Sequence, residues 1–369
     1  MICENDMQSR LLNTLDLEAR TTNDPVKWAK ALCRSASHRA RQGMTDEALD
    51  AISRVRSQFE KDFNPSIGVW LMLAEGIMHF VVDRRAEAHD RTLRAYTIAS
   101  AANHLDAKPS CAAWMAHLTF NSLRFEDMVR YLAEALSTAN PDDHQALGRA
   151  SLVLADALHF SGDFSSARPW YERTRLHATA EGDDATLSAM LHNVAAFRVA
   201  NIRIGDAAGE VSATEAKRAT MEANSALGFD VRIGAASFAM LVPLLQGQLL
   251  TVEGRYGDAE SVLTGIDRGK LESRSLPLLL IDLGWCQVAQ GRIEEGERLA
   301  AEGEALVTSS ADIDEVAYMY ARLAQIAGRQ GNQALAQIRR EKSSIALGQH
   351  RVVQTRLNEL VLAVANAHS

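Results

Sequence analysis

Residues 161–167 read SGDFSSA, a tight turn followed by the start of an Ala-containing helix, and the pattern recurs in residues 42–48 (QGMTDEA) and 253–259 (EGRYGDA). With weaker copies there are eight turns, centred on Gly43, Asp83, Leu123, Gly162, Ile202, Gly254, Gly291 and Gly331. Successive turns are 40, 40, 39, 40, 52, 37 and 40 residues apart. Such regular spacing indicates an array of repeats, in which each unit packs against its neighbours.

Small residues occupy fixed positions around these turns. Seven residues before the turns, every position is Ala or Gly: Ala36, Gly76, Ala116, Ala155, Ala195, Gly247, Gly284 and Ala324. Five residues after the turns, every position except Met128 holds a small residue. The eight residues are Ala48, Ala88, Met128, Ala167, Ala207, Ala259, Gly296 and Ala336. Because small side chains allow two helix backbones to approach closely, each unit is predicted to be two helices joined by a turn.

Proline residues separate the predicted units. Pro25, Pro65, Pro109, Pro141 and Pro277 each stand shortly before the first helix of a unit, where proline is well tolerated. The single gap of 52 residues implies about twelve extra residues after the turn at position 202. We expect residues 205–228, which contain few large apolar groups, to form a lengthened and weakly packed second helix or a loop.

This arrangement of Ala or Gly before the turn, Ala after it, bulky residues such as Phe164 and Tyr256 two positions past it, and Pro between units resembles the tetratricopeptide repeat. Units of about 40 residues resemble the sensor arrays of bacterial regulators, including peptide-sensing quorum regulators. The resemblance implies an all-α fold, a right-handed α-solenoid of about eight helical hairpins plus a C-terminal capping helix. We divide the chain into a helical N-terminal extension (1–24), the repeat array (25–349) and an amphipathic C-terminal helix (350–369).

Composition and motifs narrow the class of function. The net charge of −8 argues against general nucleic-acid binding, which needs clustered Lys and Arg. The four cysteines form no CxxC motif, and no secretory signal or membrane-length apolar run is present, so the chain is predicted to be soluble and cytoplasmic. The motifs GxSxG, GxGxxG, GxxxxGK[ST] and HExxH are missing, so no enzymatic activity, cofactor or metal is predicted.

The resemblance also implies that the first helix of each unit lines a concave groove. On this geometry the inward residues lie thirteen, ten, six and three positions before each turn, and the first of these rows includes Arg149. A mixed aromatic and imidazole surface of this kind fits a peptide or a flat ligand. The alternative is that neighbouring helices bury several of these side chains. The candidate groove residues are Trp70, Phe80, His117, Asp156, His159, His192, Asn193, Gln248, Trp285 and Tyr318.

Two further segments have a regular pattern. A basic stripe on one predicted helix consists of Lys27, Lys30, Arg34, His38 and Arg41, and it is either a docking site for an acidic partner or a solvated helix face. Residues 350–369 carry an apolar stripe that either caps the last unit or forms a homodimer or signalling helix.

The sequence therefore predicts a non-enzymatic regulator or scaffold that binds a protein segment or peptide in the groove. The alternative is a small-molecule-sensing domain that controls a signalling partner or an output domain of the transcription-regulator or diguanylate-cyclase type. A third class, an enzyme built on a helical array, has only the histidine residues in its favour.

Overall fold

The computed structural model describes residues 9–61, 64–208, 213–233, 241–271, 274–308 and 312–368. All regular elements in these ranges are α-helices, which confirms the predicted all-α repeat fold. The helices are α1 (Arg10–Thr21), α2 (Pro25–Arg41), α3 (Thr45–Lys61), α4 (Pro65–Val81), α5 (Arg85–Ala101), α6 (Lys108–Asn121), α7 (Phe125–Thr138), α8 (His144–Phe160), α9 (Phe164–Glu181), α10 (Asp184–Ala208), α11 (Ala213–Ile233), α12 (Leu241–Val252), α13 (Tyr256–Thr264), α14 (Leu276–Ala289), α15 (Ile293–Leu306), α16 (Ile313–Arg329) and α17 (Gln333–Ala367).

Helices α2 to α17 pair in chain order into hairpins, so that α2, α4, α6, α8, α10, α12, α14 and α16 are first helices and the others are second helices. The chain forms two compact units. The first unit comprises Met1–Met190, Asp230–Ser237 and Arg356–Ser369, and the second comprises Leu191–Phe229 and Phe238–Thr355. None of the helices, within the ranges given above, is long and apolar enough to cross a membrane.

Seven of the eight predicted turns lie between the two helices of a hairpin, and each is centred on a residue with positive φ. At Asp83 and Leu123, φ is 56° and 55°, a left-handed conformation that costs an L-residue about 1–2 kcal/mol. The other five turns have glycine at this position, where no Cβ opposes it. These glycines are Gly43, Gly162, Gly254, Gly291 and Gly331, with φ between 74° and 91°.

The prediction of a turn at Ile202 is wrong, because α10 continues through this position to Ala208. Ile202 is 7% exposed and belongs to an apolar cluster with Ala195 and Val199 of the same helix and Ala219 of α11. The spacing of residues 195, 199 and 202 places them on one helix face, so the packing that buries them favours an unbroken helix. In the stretch 205–228, residues 205–208 end α10 and 213–228 lie in α11, whereas 209–212 lie outside the described residues.

The small residues around the turns lie where the two helices of a hairpin meet. All eight residues seven positions before the turns are buried. A Cβ added to Gly284 of α14 would lie only 2.7 Å from the carbonyl oxygen of Gly296 in α15, so these two backbones approach more closely than a side chain allows. Five positions after the turns, Ala207 is the exception, since it is only half-buried and belongs to the unit whose turn was misplaced.

The C-terminal segment 350–367 is not a separate helix but the uninterrupted continuation of α17. Its predicted apolar stripe is buried at Leu357, Val361 and Val364. Within the first unit, the Ser161 hydroxyl donates a hydrogen bond to Oδ1 of Asn358 at 3.2 Å. These apolar side chains are therefore already covered within a single copy of the chain.

We expect Gly284→Ala to destabilise the protein by about 1–2 kcal/mol, because overpacking at a helix contact outweighs the gain in helix propensity. The control is Gly348→Ala in α17, where an added Cβ meets nothing within 4 Å. The control should raise the free energy of unfolding by about 0.5–1 kcal/mol. Urea denaturation measures both changes, and equal stabilisation by the two substitutions would contradict the close approach of α14 and α15.

Candidate functional site

The first unit closes on itself through contacts between α2 and the turn that joins α9 to α10. At this turn, Arg41 of α2 donates hydrogen bonds from Nη2 to Asp183 and from Nη1 to the Thr186 hydroxyl, each at 2.9 Å. Nδ1 of His38 lies 3.2 Å from the Asp183 carboxylate. One turn of α2 earlier, Arg34 forms an ion pair with Glu181. The first hairpin is thus tied to the junction between the fourth and the fifth.

The local sequence orients the Asp183 side chain toward α2. Gly182 ends α9 with φ of 79° and turns the chain, and a side chain there would collide with Arg10 of α1. The Asp183 side chain also accepts a hydrogen bond from the backbone N–H of Thr186 at 3.0 Å, at the start of α10. Burial by itself would raise the pKa of Asp183, but Arg41 and His38 hold that pKa well below its usual value.

The predicted basic stripe is largely engaged by these and similar contacts. Besides Arg34, His38 and Arg41, Lys30 pairs with Asp106 at 3.3 Å and lies 5.0 Å from the ring centre of Trp70. Lys27 is exposed. Because most of its charges face acids of the same unit, the stripe offers little free charge to an acidic partner.

An aromatic cluster lies on the first helices of two successive hairpins in the first unit. It consists of Phe80 on α4 and of Trp114 and His117 on α6. The ring centres of Phe80 and His117 are 4.8 Å apart, those of Trp114 and His117 5.4 Å, and those of Phe80 and Trp114 6.2 Å. On α8, the guanidinium of Arg149 lies 4.3 Å above the Trp114 ring. This arrangement places the Arg149 cation against the packed rings of the aromatic cluster.

Burial and nearby charges determine the ionisation of His117 in the aromatic cluster and of Arg149 beside it. Burial, Arg149 and Arg41 lower the pKa of His117 well below its usual value, so this imidazole is neutral at pH 7. Burial and the charge of Arg41 lower the pKa of Arg149 to about 9, which leaves the guanidinium cationic at neutral pH. Phe80 and His117 are half-buried, whereas Trp114 is 4% exposed.

Asp156 and His159, also predicted groove residues, interact with a second helix instead. The Tyr171 hydroxyl of α9 donates to Oδ1 of Asp156 at 2.9 Å and lies 3.2 Å from Nδ1 of His159. Burial and the Asp156 charge raise the pKa of Tyr171. This buried network therefore holds α8 against α9.

In the second unit, a polar network fills the space between first helices. Arg203 of α10 lies 3.5 Å from the Asp282 carboxylate of α14 and 3.7 Å from the centre of the Tyr318 ring of α16. The Tyr318 hydroxyl donates to Asp282, and Nε of Arg322 donates to that hydroxyl at 3.2 Å. Arg322 also pairs with Asp206 of α10. These ion pairs and hydrogen bonds link α10, α14 and α16 inside the unit.

The remaining predicted groove residues do not form one open surface. Trp70 and Gln248 are 3% and 2% exposed, and Trp285 is 7% exposed within an apolar cluster that includes Tyr318. His192 is buried, and burial together with Arg274 lowers its pKa to about 4. Asn193 is half-buried. Within the described ranges, no three His, Cys, Asp or Glu side chains are placed to hold a metal ion.

The predicted rows missed one position of each first helix. Residues nine positions before the turns include Arg34, Trp114, Asp282 and Arg322, all of which take part in the interactions above. Positions thirteen, nine and six before a turn are spaced by four and three, so they share one helix face. Helical spacing alone could have identified this row.

The chain resembles known proteins in its fold but not in its sequence. No family model matches the sequence, and no curated protein matches it either. A solved Rap protein complexed with competence and sporulation factor is similar over 95% of this chain and 92% of that chain, with a TM-score of 0.53 and 12% identity. The apo form of RapI gives a TM-score of 0.49 at 11% identity, covering 92% of this chain and 91% of that chain. A tetratricopeptide repeat protein from Parabacteroides merdae gives 0.42 at 12% identity, covering 80% and 99%.

The protein has the tetratricopeptide-like helical repeat fold that its turn spacing predicts. At 12% identity the likeness to the Rap protein complex defines the fold alone.

We expect Asp183→Asn to lower the free energy of unfolding at pH 7 by about 3–5 kcal/mol, because it removes the carboxylate that pairs with the buried Arg41 charge. The pKa of Asp183 is depressed in the folded state, so its stabilising effect is present above the unfolded pKa of about 4 and is lost at lower pH. The difference between wild type and variant should therefore begin to shrink below about pH 5 and continue to shrink as the pH falls toward the folded-state pKa of Asp183, as measured by urea denaturation at each pH.

Asp90→Asn is the control for this prediction, since Asp90 forms an exposed pair with Arg94 within α5. Its expected effect is below about 0.5 kcal/mol. Equal effects of the two substitutions at pH 7 would show that the closing contact contributes no special stability.

Proposed function

We propose that the protein is a non-enzymatic regulator or scaffold that binds a peptide or protein segment on the first helices of its first unit. The observation that carries this proposal is the aromatic cluster of Phe80, Trp114 and His117 with the Arg149 guanidinium stacked on it. Aromatic rings and arginine are the side chains that contribute most to protein recognition surfaces. Their place on successive first helices gives an extended chain several points of contact.

The second unit offers less to a ligand. Its corresponding surface is occupied by the network of Arg203, Asp282, Tyr318 and Arg322, in which each arginine has a carboxylate of the same unit within 4 Å. A ligand there would have to displace these contacts and leave buried charges unpaired, at a cost of several kcal/mol. We therefore place recognition in the first unit.

The fold supports a binding role, since helical repeat arrays present long continuous surfaces to their partners. The Rap protein of the comparison was solved with a bound factor, and this precedent supports a ligand-binding role for the present chain. We place the protein in the cytoplasm. The thiols of Cys33, Cys111 and Cys286 are buried and form no disulfide, which suits a reducing compartment.

A second candidate function is a sensor for a small molecule that controls a signalling partner. One observation favours it: Arg149 and Trp114 are only 6% and 4% exposed. A group at this depth is reached by a small ligand or a single side chain, and not by a folded domain.

The proposal predicts that Phe80→Ala and His117→Ala each weaken peptide binding at least tenfold, while the melting temperature falls by only a few degrees because both side chains are half-buried. Peptides are first selected on the wild-type protein from a phage-displayed random library. Selected sequences are then synthesised and titrated by fluorescence anisotropy against wild type and variants.

Leu176→Ala serves as the control, since Leu176 is 65% exposed on the second helix α9. It should leave peptide affinity unchanged. Failure to enrich any peptide, or selected peptides that bind Phe80→Ala, His117→Ala and wild type equally, would exclude recognition at the aromatic cluster.

A further inference from the structure

Arg149 differs from the other deeply buried arginines. Arg203, Arg322 and Arg339 are between 2% and 9% exposed, and each has a carboxylate within 4 Å, from Asp282, Asp206 and Glu304 respectively. Arg149 is 6% exposed, yet throughout the described ranges no carboxylate lies within 4 Å of its guanidinium and no acceptor receives a hydrogen bond from it. The guanidinium instead stacks on the Trp114 ring at 4.3 Å.

The acids nearest to Arg149 are already engaged. Asp183 accepts hydrogen bonds from Arg41, and Asp156 accepts one from the Tyr171 hydroxyl. Stacking on an indole ring offsets only about 2 kcal/mol of the cost of burying a guanidinium that donates no hydrogen bond. The N–H groups of Arg149 are therefore available to an anionic ligand.

We infer that Arg149 receives a carboxylate group of the ligand, with an apolar or aromatic side chain beside it on Phe80 and His117; this inference rests on the proposed function. Trp114 covers one face of the planar guanidinium, so an acceptor has to approach in its plane, as a carboxylate does in a bidentate pair.

The local charge favours a monoanion over a dianionic phosphate. Arg149 and Arg41 carry two positive charges, and Asp183 and Asp156 balance them. His117 is neutral at pH 7 for the reasons given above. A monoanion leaves the site with a net charge of about −1, whereas a dianion would leave about −2 in a poorly solvated place. The carboxylate could be the C-terminus of a peptide, an Asp or Glu side chain, or a small organic acid.

The test uses three hexapeptide pools and the full-length protein. The first pool has free C-terminal carboxylates and no Asp or Glu, the second is its C-terminal amide, and the third is an amide pool with one Asp or Glu per peptide. Peptides retained with the protein by ultrafiltration are counted by mass spectrometry. N-acetylphenylalanine, its amide and phenyl phosphate are titrated in parallel by calorimetry as small probes.

We expect wild type to retain the first or the third pool at least tenfold more than the second, and Arg149→Gln to abolish that preference. The matched control is Arg173→Gln, because Arg173 stacks on Trp170 at 4.4 Å but also donates a hydrogen bond to the carbonyl of His368. This control should keep the preference. Arg149→Gln should also melt at the same temperature as wild type or higher, since it removes a largely buried charge that donates no hydrogen bond, whereas a structural role would lower its melting temperature.

The outcomes separate this inference from the proposed function. Equal retention of all three pools would overturn the carboxylate inference while leaving peptide binding in place. Binding of N-acetylphenylalanine but not its amide, with no peptide retained, would support the carboxylate inference and reject the peptide function. Tighter binding of phenyl phosphate than of N-acetylphenylalanine would overturn the assignment of a carboxylate, and failure of every probe would reject both proposals.

Discussion

The ion pair between Arg41 and Asp183 is the contact on which the geometry of the first unit depends. It joins residues 142 positions apart at 2.9 Å, with His38 against the same carboxylate. Because both partners are largely buried, breaking the pair would remove a counterion from a poorly solvated charge. The contact fixes the first hairpin against the start of α10, and the first helices between them are thereby held in place around the aromatic cluster.

The repeat fold was readable from the sequence because it rests on local requirements. Close helix contacts need small residues such as Gly284, and a tight hairpin turn is easiest at a glycine such as Gly162 with φ of 91°. At Ile202 the predicted turn is wrong, since regular spacing suggested a turn where the residues lack the glycine or left-handed conformation that the other turns have. There, the burial of Ile202 against α11 sustains the helix, and only tertiary packing reveals it.

The candidate site was harder to predict, for a physical reason. Helical spacing can place Arg149 and Arg322 on an inward face, but it does not tell which acid from a distant repeat will reach each of them. The pairing of acids and arginines depends on the curvature of the array between α2 and the start of α10. This curvature is the sum of small rotations at every hairpin. Hence the sequence assigned to the groove both the half-buried Phe80 and His117 and the buried Trp285 and Gln248.

The wrongly predicted turn at Ile202 and the ionic network on the first helices of the second unit have the same cause, which is the length of α10. Because α10 continues beyond Ile202, it carries Arg203 and Asp206, and these two side chains pair with Asp282 and Arg322. A turn at position 202 would have placed both in a second helix and left Arg322 without that acid. In the first unit no such extension supplies a carboxylate to Arg149, as far as the described residues extend. Among the described residues, the same repeat architecture thus places carboxylates beside Arg203 and Arg322 in one unit but places an aromatic ring beside Arg149 in the other.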